Sequence, residues 1–435
     1  MEKGLISVDR WADGSQVYFL THLHSDHTQG LSSTWAKGPL YCSPLTAKLF
    51  PFKFPNFGLS LLRPLHTNSW HSLSLISPSS ASKTLLQVML IDAHHCPGAV
   101  MFLFRGEFGC LLYTGDFRWE ANSERAKRAK TMLIDALQGD VVDTLYLDNT
   151  YCNPSYVFPH RDIAAQQIVD IIASHPEHDV IIGIDTLGKE DLLLYISRAL
   201  NVKIWVWPER LQTMHLLDFH DIFTTNTTLT RVRAVPRYSF NINTLEGLNS
   251  MRPTIGIMPS GLPWVLKSLE GDETLFGSLL TSRYNKRKWS ANSGTGPDKL
   301  NGVERFHKYI YSVPYSDHSC YKEIQEFVEL IQPTNMKGIM SSSSCYVDPL
   351  YYFGRFSRAD QPSQRLHDQH ESKEGGKRDL AFRGKSYLGS GDVLEAKRKR
   401  GGIAKVNILG VRLSRVSALR RFRRGAKIGE CDCHD

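Results

Sequence analysis

A chain of 435 residues, 41% hydrophobic and 22% charged, has the composition of a soluble globular protein and the length for two domains with additions. No apolar run approaches the ~20 residues of a helical membrane span, and Asp9-Arg10 interrupts the apolar stretch that a secretory leader needs, so neither is expected. The net charge of +8 is uneven, because residues 351–435 carry 20 Lys and Arg against 10 Asp and Glu while the rest is close to neutral.

Ile6-Ser7-Val8-Asp9 reads as a short strand ending in a carboxylate. If it lies beside the next strand, Asp9 can orient a ligand histidine from behind. Val17-Tyr18-Phe19-Leu20 reads as a buried strand, left through Thr21. It runs into His22-Leu23-His24-Ser25-Asp26-His27, the pattern H-x-H-x-D-H. His22 and His24 can face one metal ion while Asp26 and His27 turn toward a second. Imidazole with carboxylate suits zinc or a similar borderline divalent metal. Thr28 to Phe50 is expected to be loop and helix, and residues 51–82, rich in Pro and Ser, an irregular connection.

The strand-then-ligand theme repeats. Val88-Met89-Leu90-Ile91 leads into Asp92-Ala93-His94-His95-Cys96-Pro97-Gly98. After a strand over Ala99 to Phe104, Cys110 to Thr114 leads into Gly115-Asp116-Phe117-Arg118, where the two oxygens of Asp116 can bridge two metals. Thr144-Leu145-Tyr146-Leu147 leads into Asp148-Asn149-Thr150. Four such strand ends describe one sheet edge that collects ligands from separate loops.

From Asp162 the pattern changes to alternating helices and strands. An amphipathic stretch over Ile163–Ala173 precedes a strand over Val180–Ile184, a helix over Asp191–Leu200 and a strand over Lys203–Trp207, the signature of a parallel α/β unit. Between them, Lys189 in Gly188-Lys189-Glu190 stands at a helix start, where phosphate contact and a plain helix start are equal readings. Thr254–Pro259 reads as a last strand, and residues 283–303 as a polar, basic linker. Tyr309–Val313 then runs into Pro314-Tyr315-Ser316-Asp317-His318-Ser319, a fifth strand end with a ligand type. A helix over Tyr321–Leu330 follows, then a final strand near Met336-Lys337-Gly338. Ser341-Ser342-Ser343-Ser344 offers hydroxyls for a phosphate, or is a serine-rich linker. The tail carries Lys397-Arg398-Lys399-Arg400 and Arg420-Arg421-Phe422-Arg423-Arg424, which fit a nuclear import signal, a polyanion contact or a solvated disordered segment. The eight cysteines are scattered, and a chain this long needs no disulfide staples, so reduced thiols and an intracellular setting are expected.

Three His and one Asp can hold one metal; Asp26, His27 and a shared Asp116 begin a second site that needs one more ligand. Two divalent ions ~3.5–4 Å apart activate a water for in-line attack and neutralise charge on a phosphoryl oxygen. No serine nucleophile is then required, and no G-x-S-x-G elbow is present.

H-x-H-x-D-H, a later His and Thr-Gly-Asp together resemble the metallo-β-lactamase fold. Asp148 in Leu-Asp-Asn-Thr is similar to the first acidic motif of its β-CASP subfamily of nucleic-acid-cutting enzymes. Asp-Ala-His-His-Cys-Pro-Gly and Leu-Tyr-Thr-Gly-Asp-Phe-Arg resemble the DNA branch of that subfamily, over about residues 1–350. The resemblance implies an αββα sandwich in two parts, residues 1–160 and 286–352, the latter including a linker. A β-CASP α/β cap fills residues 161–285, and a basic tail, disordered by composition, residues 353–435. It implies His22, His24, His95 and Asp116 on one metal, with His94 the alternative to His95. Asp26, His27, Asp116 and His318 would hold the other, Asp148 and Asp9 would act from behind, and Ser341–Ser344 would read a 5′-phosphate. Gly338, where proline is usual, departs from the pattern.

The implied protein is a zinc-dependent 5′-to-3′ DNA exonuclease of the nucleus. Its substrate is single-stranded or 5′-phosphorylated DNA, and its pathways are crosslink and double-strand break repair or telomere end processing. It is expected to be monomeric, off the membrane, with repair or telomere proteins as partners of the tail. The rivals are an RNA 3′-end-processing endonuclease, disfavoured because no His lies between Ser319 and Tyr352, a non-catalytic repair scaffold, and a small-thioester hydrolase, for which the long cap is unnecessary.

Overall fold

The computed structural model of the protein describes residues 4–78, 80–261, 304–307, 309–340, 347–357 and 426–428. Within Val100-Met101-Phe102-Leu103-Phe104, the residues Val100, Phe102 and Phe104 belong to one apolar cluster and Met101 and Leu103 to another. A pleated strand sends successive side chains to opposite faces, so a run apolar on both faces must be covered on both. Each such side chain fully removed from water contributes roughly 1.5–3 kcal/mol. Two stacked sheets with helices outside meet that demand.

The first sheet contains β1 (Gly4–Val8), β2 (Ser15–Phe19), β3 (Leu40–Cys42) and β4 (Leu62–Pro64), all parallel. Helix α1 (Pro44–Lys53), N-capped by Ser43, covers its outer face through Leu49 and Phe50. The second sheet holds β5 (Trp70–Ile76), β6 (Lys83–Asp92), β7 (Val100–Gly106), β8 (Gly109–Tyr113) and β9 (Thr144–Leu147). Its outer face is covered by α2 (Glu124–Leu137) through Ala129 and Leu133. The cluster between the sheets joins Val8, Val17 and Phe19 to Val88, Phe102 and Tyr113.

The inserted unit is built on a third, largely parallel sheet, with α3 (Arg161–Ala173), β10 (Asp179–Ile184), α4 (Glu190–Leu200), β11 (Ile204–Trp205) and α5 (Pro208–Leu216). It continues through β12 (Phe223–Thr224), β13 (Val232–Pro236), α6 (Ile242–Asn249) and β14 (Thr254–Pro259). Strands β15 (Glu304–His307) and β16 (Ile310–Val313) complete it in the order β12-β11-β13-β10-β14-β16-β15. The expected boundary at residue 285 is therefore not a sheet boundary, since β16 pairs in parallel with β14. The chain then returns to the sandwich as α7 (Tyr321–Ile331), β17 (Asn335–Gly338) beside β9, and α8 (Pro349–Phe353).

Two further differences have physical reasons. Residues 51–82 are not irregular throughout, because β4 and β5 lie there. In β5 only Leu75 is buried, so its Ser-rich edge-strand sequence lacks an apolar signal. Helix α2 escaped the sequence reading because it is highly charged and buries only four small or aliphatic residues, Ala126, Ala129, Leu133 and Ala136. In the basic tail, Ala426–Ile428 forms β18, antiparallel to β1. The two basic stretches of the tail, the 283–303 linker and Ser341–Ser344 lie outside the described residues. Among the described residues, Cys42, Cys96, Cys110, Cys152 and Cys320 are free thiols, and no helix is long and apolar enough to cross a membrane.

Candidate metal centre

The carboxyl ends of β1, β2, β6, β8 and β9 deliver Asp9, the His22–His27 loop, the Asp92–His95 turn, Asp116 and Asp148 to one edge of the sandwich. The two sheets are tied together there, Val100 donating from its amide to the Thr21 carbonyl at 3.2 Å. Gly115 sits at φ +55°, and a Cβ on it would lie 2.8 Å from Thr21 Cγ2, so the Thr-Gly-Asp turn requires glycine to pass this close.

Ligand atoms converge at the centre of this edge. His24 Nδ1 lies 3.0 Å from His22 Nε2 and 3.0 Å from His95 Nε2. Asp116 Oδ2 lies 3.7 Å from His22 Nε2, 3.7 Å from His95 Nε2 and 3.8 Å from His318 Nε2. Its other oxygen, Oδ1, is 3.1 Å from His27 Nε2. Asp116 thus meets imidazoles with both oxygens, Oδ2 facing His22, His95 and His318 and Oδ1 facing His27. His22 and His27 are fully buried, His95 and Asp116 nearly so, and His24, Asp26 and His318 line the side open to solvent.

The far nitrogen of each imidazole is engaged. His22 Nδ1 meets Thr21 Oγ1 at 3.0 Å, His24 Nε2 the Leu187 carbonyl at 3.0 Å, and His95 Nδ1 the Asp317 carbonyl at 2.8 Å. His27 Nδ1 meets Asp9 Oδ2 at 2.6 Å and His318 Nδ1 meets Asp148 Oδ2 at 2.8 Å. Carbonyls and carboxylates only accept, so those nitrogens carry the proton and the converging ones carry lone pairs. The Thr21 hydroxyl donates to Asp9 at 2.6 Å, which leaves its oxygen to accept from His22.

Three lone pairs meeting at 3.0 Å repel one another unless a cation sits between them. In a tetrahedral site with Zn–N near 2.0–2.1 Å, ligand atoms stand roughly 3.3 Å apart. The distances around His22, His24, His95 and Asp116 bracket that edge length, so these residues fit a divalent metal. Burial and the neighbouring imidazoles hold the His22 imidazole well below its ordinary range, and burial and then His318 and His24 push His95 down to about 3. Both stay neutral, as ligands must. His27 differs: burial lowers it, but Asp116 and Asp9 outweigh burial and hold it up at about 10 in the metal-free protein. Asp148 is lowered, since His318 overcomes the effect of its burial.

Of the sequence candidates, His22, His24, His27, His95, Asp116 and His318 fall into sets whose ligand atoms lie within 4.8 Å of one another. Asp26 is in none of those sets; it is half-buried nearby, and its charge opposes the lowering of His24 by burial. His94 is turned away at φ +55°, with Nε2 3.6 Å from Asp92. Asp9 and Asp148 stand behind His27 and His318. Lys189 sits in the cap and ion-pairs with Asp317 at 2.6 Å, both sides about a tenth exposed, so its ammonium is engaged by protein.

Other contributors were missed by the sequence reading. Arg118 is fully buried, and Nη1 donates to the Ser316 carbonyl at 2.9 Å and the His318 carbonyl at 3.4 Å. Asn149 donates to the carbonyls of Met340 (3.2 Å) and Val347 (3.1 Å) and so holds these two residues together. The unexpected Gly338 makes room for it, since a Cβ there would lie 2.6 Å from Asn149 Nδ2. Only the position of Arg118 two residues after Asp116 hinted at its part.

Comparison with known proteins agrees with this geometry. Residues 218–341 match the family model described as DNA repair metallo-beta-lactamase. The chain is 37% identical over 345 residues to "5' exonuclease Apollo" of Gallus gallus, covering 78% of this chain and 63% of that one. It is 38% identical over 346 residues to the Mus musculus protein of the same name, covering 78% and 54%. To "DNA cross-link repair protein SNM1" of Arabidopsis thaliana it is 32% identical over 328 residues, covering 74% and 60%. The chain thus spans between about half and just under two thirds of the length of these relatives. With the candidate strand-end ligands gathered on the sandwich edge and the α/β unit inserted between its halves, the chain belongs to the β-CASP metallo-β-lactamase family.

Proposed function

We propose that the protein is a metal-dependent 5′-to-3′ exonuclease that hydrolyses phosphodiester bonds of DNA from 5′-phosphorylated ends in DNA repair. The observation that carries this reading is Asp116, whose two oxygens face four imidazoles, His22, His95 and His318 on one side and His27 on the other, with the far nitrogen of each held. Relatives named 5′ exonuclease and DNA cross-link repair protein support it.

In this reading His22, His24, His95 and Asp116 hold one ion, and Asp26, His27, Asp116 and His318 the other. The nitrogen and oxygen donors suit zinc. When bound, such ions polarise the phosphoryl oxygen and acidify water. The protein supplies the rest. Asp9 and Asp148 keep His27 and His318 in the ligating tautomer. Asp116 fixes the separation of the two sets. Buried His22, His27 and His95 close the back of the site, so the scissile phosphate enters past His24, Asp26 and His318. Ser341–Ser344 would read the terminal phosphate, and Asn149 holds Met340 and Val347, the described residues on either side of them. The basic stretches of the tail serve as the nuclear address.

The test is release of nucleotides from 5′-phosphorylated and 5′-hydroxyl single strands by wild type and by Asp26→Ala with His27→Ala. The expected outcome is loss of activity in the double variant and preference for the phosphorylated end. Equal activity in both proteins sinks the reading.

A further inference from the structure

The parallel strands of the cap point their carboxyl ends at one edge, where parallel α/β sheets place ligands. Two of those ends already reach the metal centre. The loop leaving β10 supplies the Leu187 carbonyl to His24, and the segment leaving β16 supplies His318. Strand β13 lies beside β10, with Ile184 opposite Pro236. The segment leaving β13 therefore emerges about 4.8 Å to one side, a single strand spacing.

That segment is Arg237-Tyr238-Ser239, one turn of 3₁₀ helix. Tyr238 is 84% exposed, the highest value for a large hydrophobic residue among those described. Arg237 is also exposed, and its nearest carboxylate is Asp185 at 4.0 Å, on the loop that reaches His24. An ion pair this long and this exposed holds its partners weakly. The turn itself is fixed. Pro236 precedes it with a locked φ, and the Phe240 amide donates to the Arg237 carbonyl at 3.2 Å. The Phe240 ring fills a socket left by two glycines of neighbouring strands. A Cβ on Gly256 would lie 2.5 Å from its Cζ, and one on Gly183 would lie 3.1 Å from its Cδ2. The strands that form the sheet thus hold a bare aromatic ring and a cation side by side in water.

We propose that Arg237 and Tyr238 form a landing for unpaired DNA beside the metal centre, with Tyr238 stacked on a nucleobase and Arg237 on an adjacent phosphate. This rests on the nuclease reading above and names the strand that reaches it. A cation next to a ring matches the alternation of phosphate and base along a single strand, and stacking of this kind tolerates any sequence. In a duplex the bases are stacked on one another and the ring has no face to meet.

The test is fluorescence anisotropy with the full metal-loaded chain and a labelled phosphorothioate single strand, which resists cutting. Tyr238→Ala should weaken binding about tenfold and Tyr238→Phe should restore it, the pattern of ring stacking. Arg237→Ala should weaken binding and flatten its salt dependence by about one phosphate contact. Blunt duplex binding should not change in Tyr238→Ala. Strand affinity within twofold of wild type in Tyr238→Ala, with an unchanged thermal midpoint, overturns the proposal, as does a wild type that binds no strand. A wild type that binds this strand but releases no nucleotide from an unmodified 5′-phosphorylated strand defeats the nuclease reading, while the Tyr238 comparison still decides this one.

Discussion

Arg118 and Glu323, 205 residues apart in the chain, form a buried ion pair in which Arg118 Nε lies 3.0 Å from Glu323 Oε2. The same guanidinium donates to the carbonyls of Pro159, Ser316 and His318. It joins the turn that carries Asp116, the entry to the cap and the loop that carries His318. One buried side chain therefore sets the distance between the ligands that come before the insertion and the one that comes after it.

Removing that guanidinium leaves a buried carboxylate unpaired and frees the His318 loop. Arg118→Met should lower stability by about 3–5 kcal/mol and reduce metal content more than the substitution of an exposed arginine does. Thermal unfolding and elemental analysis of the purified variant read the two effects. Full metal content in a folded Arg118→Met protein would remove this residue from the centre.

Asp9 accepts from the Thr21 amide at 2.9 Å, from the Thr21 hydroxyl and from His27 Nδ1. Asp9→Asn keeps the shape but weakens the hold on His27, and loss of such a partner typically costs 10–100-fold in metal affinity. A chelator competition series should show that loss in one of two binding steps. Identical curves for variant and wild type would count Asp9 as structural only.

Chelation should lower the thermal midpoint, because a ligand that binds only the folded state stabilises it by mass action. It should also remove nuclease activity, and added zinc should restore both. A purified protein with no bound metal and the same midpoint with and without chelator contradicts the fit of His22, His24, His95 and Asp116 to a cation.

Gly338→Ala drives a Cβ into Asn149, whose amide pins Met340 and Val347. Overpacking of this kind costs roughly 1–3 kcal/mol. The expected kinetic outcome is a smaller ratio of 5′-phosphate to 5′-hydroxyl cleavage, with hydrolysis itself retained. An unchanged ratio would separate the Asn149 bracket from end recognition.

Glu120 sits against Arg161, with Oε2 2.9 Å from Nε, and 3.3 Å from Arg118. Burial raises its carboxyl, but Arg161 and then Arg118 outweigh burial and leave it below the ordinary value. A carboxylate lowered on folding stabilises above its unfolded value of about 4.3 and loses that contribution as pH falls through the folded value. In metal-free protein the stability gap between wild type and Glu120→Gln should be full above pH ~5 and shrink as pH falls below the unfolded value. A gap that does not change with pH would show that Glu120 acts by shape alone.

The candidate ligand residues were legible because the signal is local. A strand shows itself as an apolar run, and a His or Asp placed just past its end can only lie at the sheet edge. That holds for His22, His24, Asp116 and Asp148, and β9 and β14 coincide with the runs that predicted them. The choice of His95 over His94 was carried by family resemblance; the structure brings His95 into the candidate sets and leaves His94, with its left-handed backbone, out of them. Strand β5 and helix α2 were not legible, because their burial depends on what covers them. The engagement of Lys189 by Asp317, 128 residues away, was equally hidden.

By itself the sequence determined which residue types stand at which strand ends, since alternation and turn chemistry act over a few residues. Only the tertiary structure decided which nitrogen of each imidazole faces the centre, because the acceptors behind them come from other strands and from the cap. It also decided that Arg118 and Asn149 clamp the returning chain, and that Tyr238 stands bare next to Arg237, which faces Asp185 on the cap loop that reaches His24. Those relations are set by side chains distant in sequence that meet only once both sheets and the inserted unit have packed.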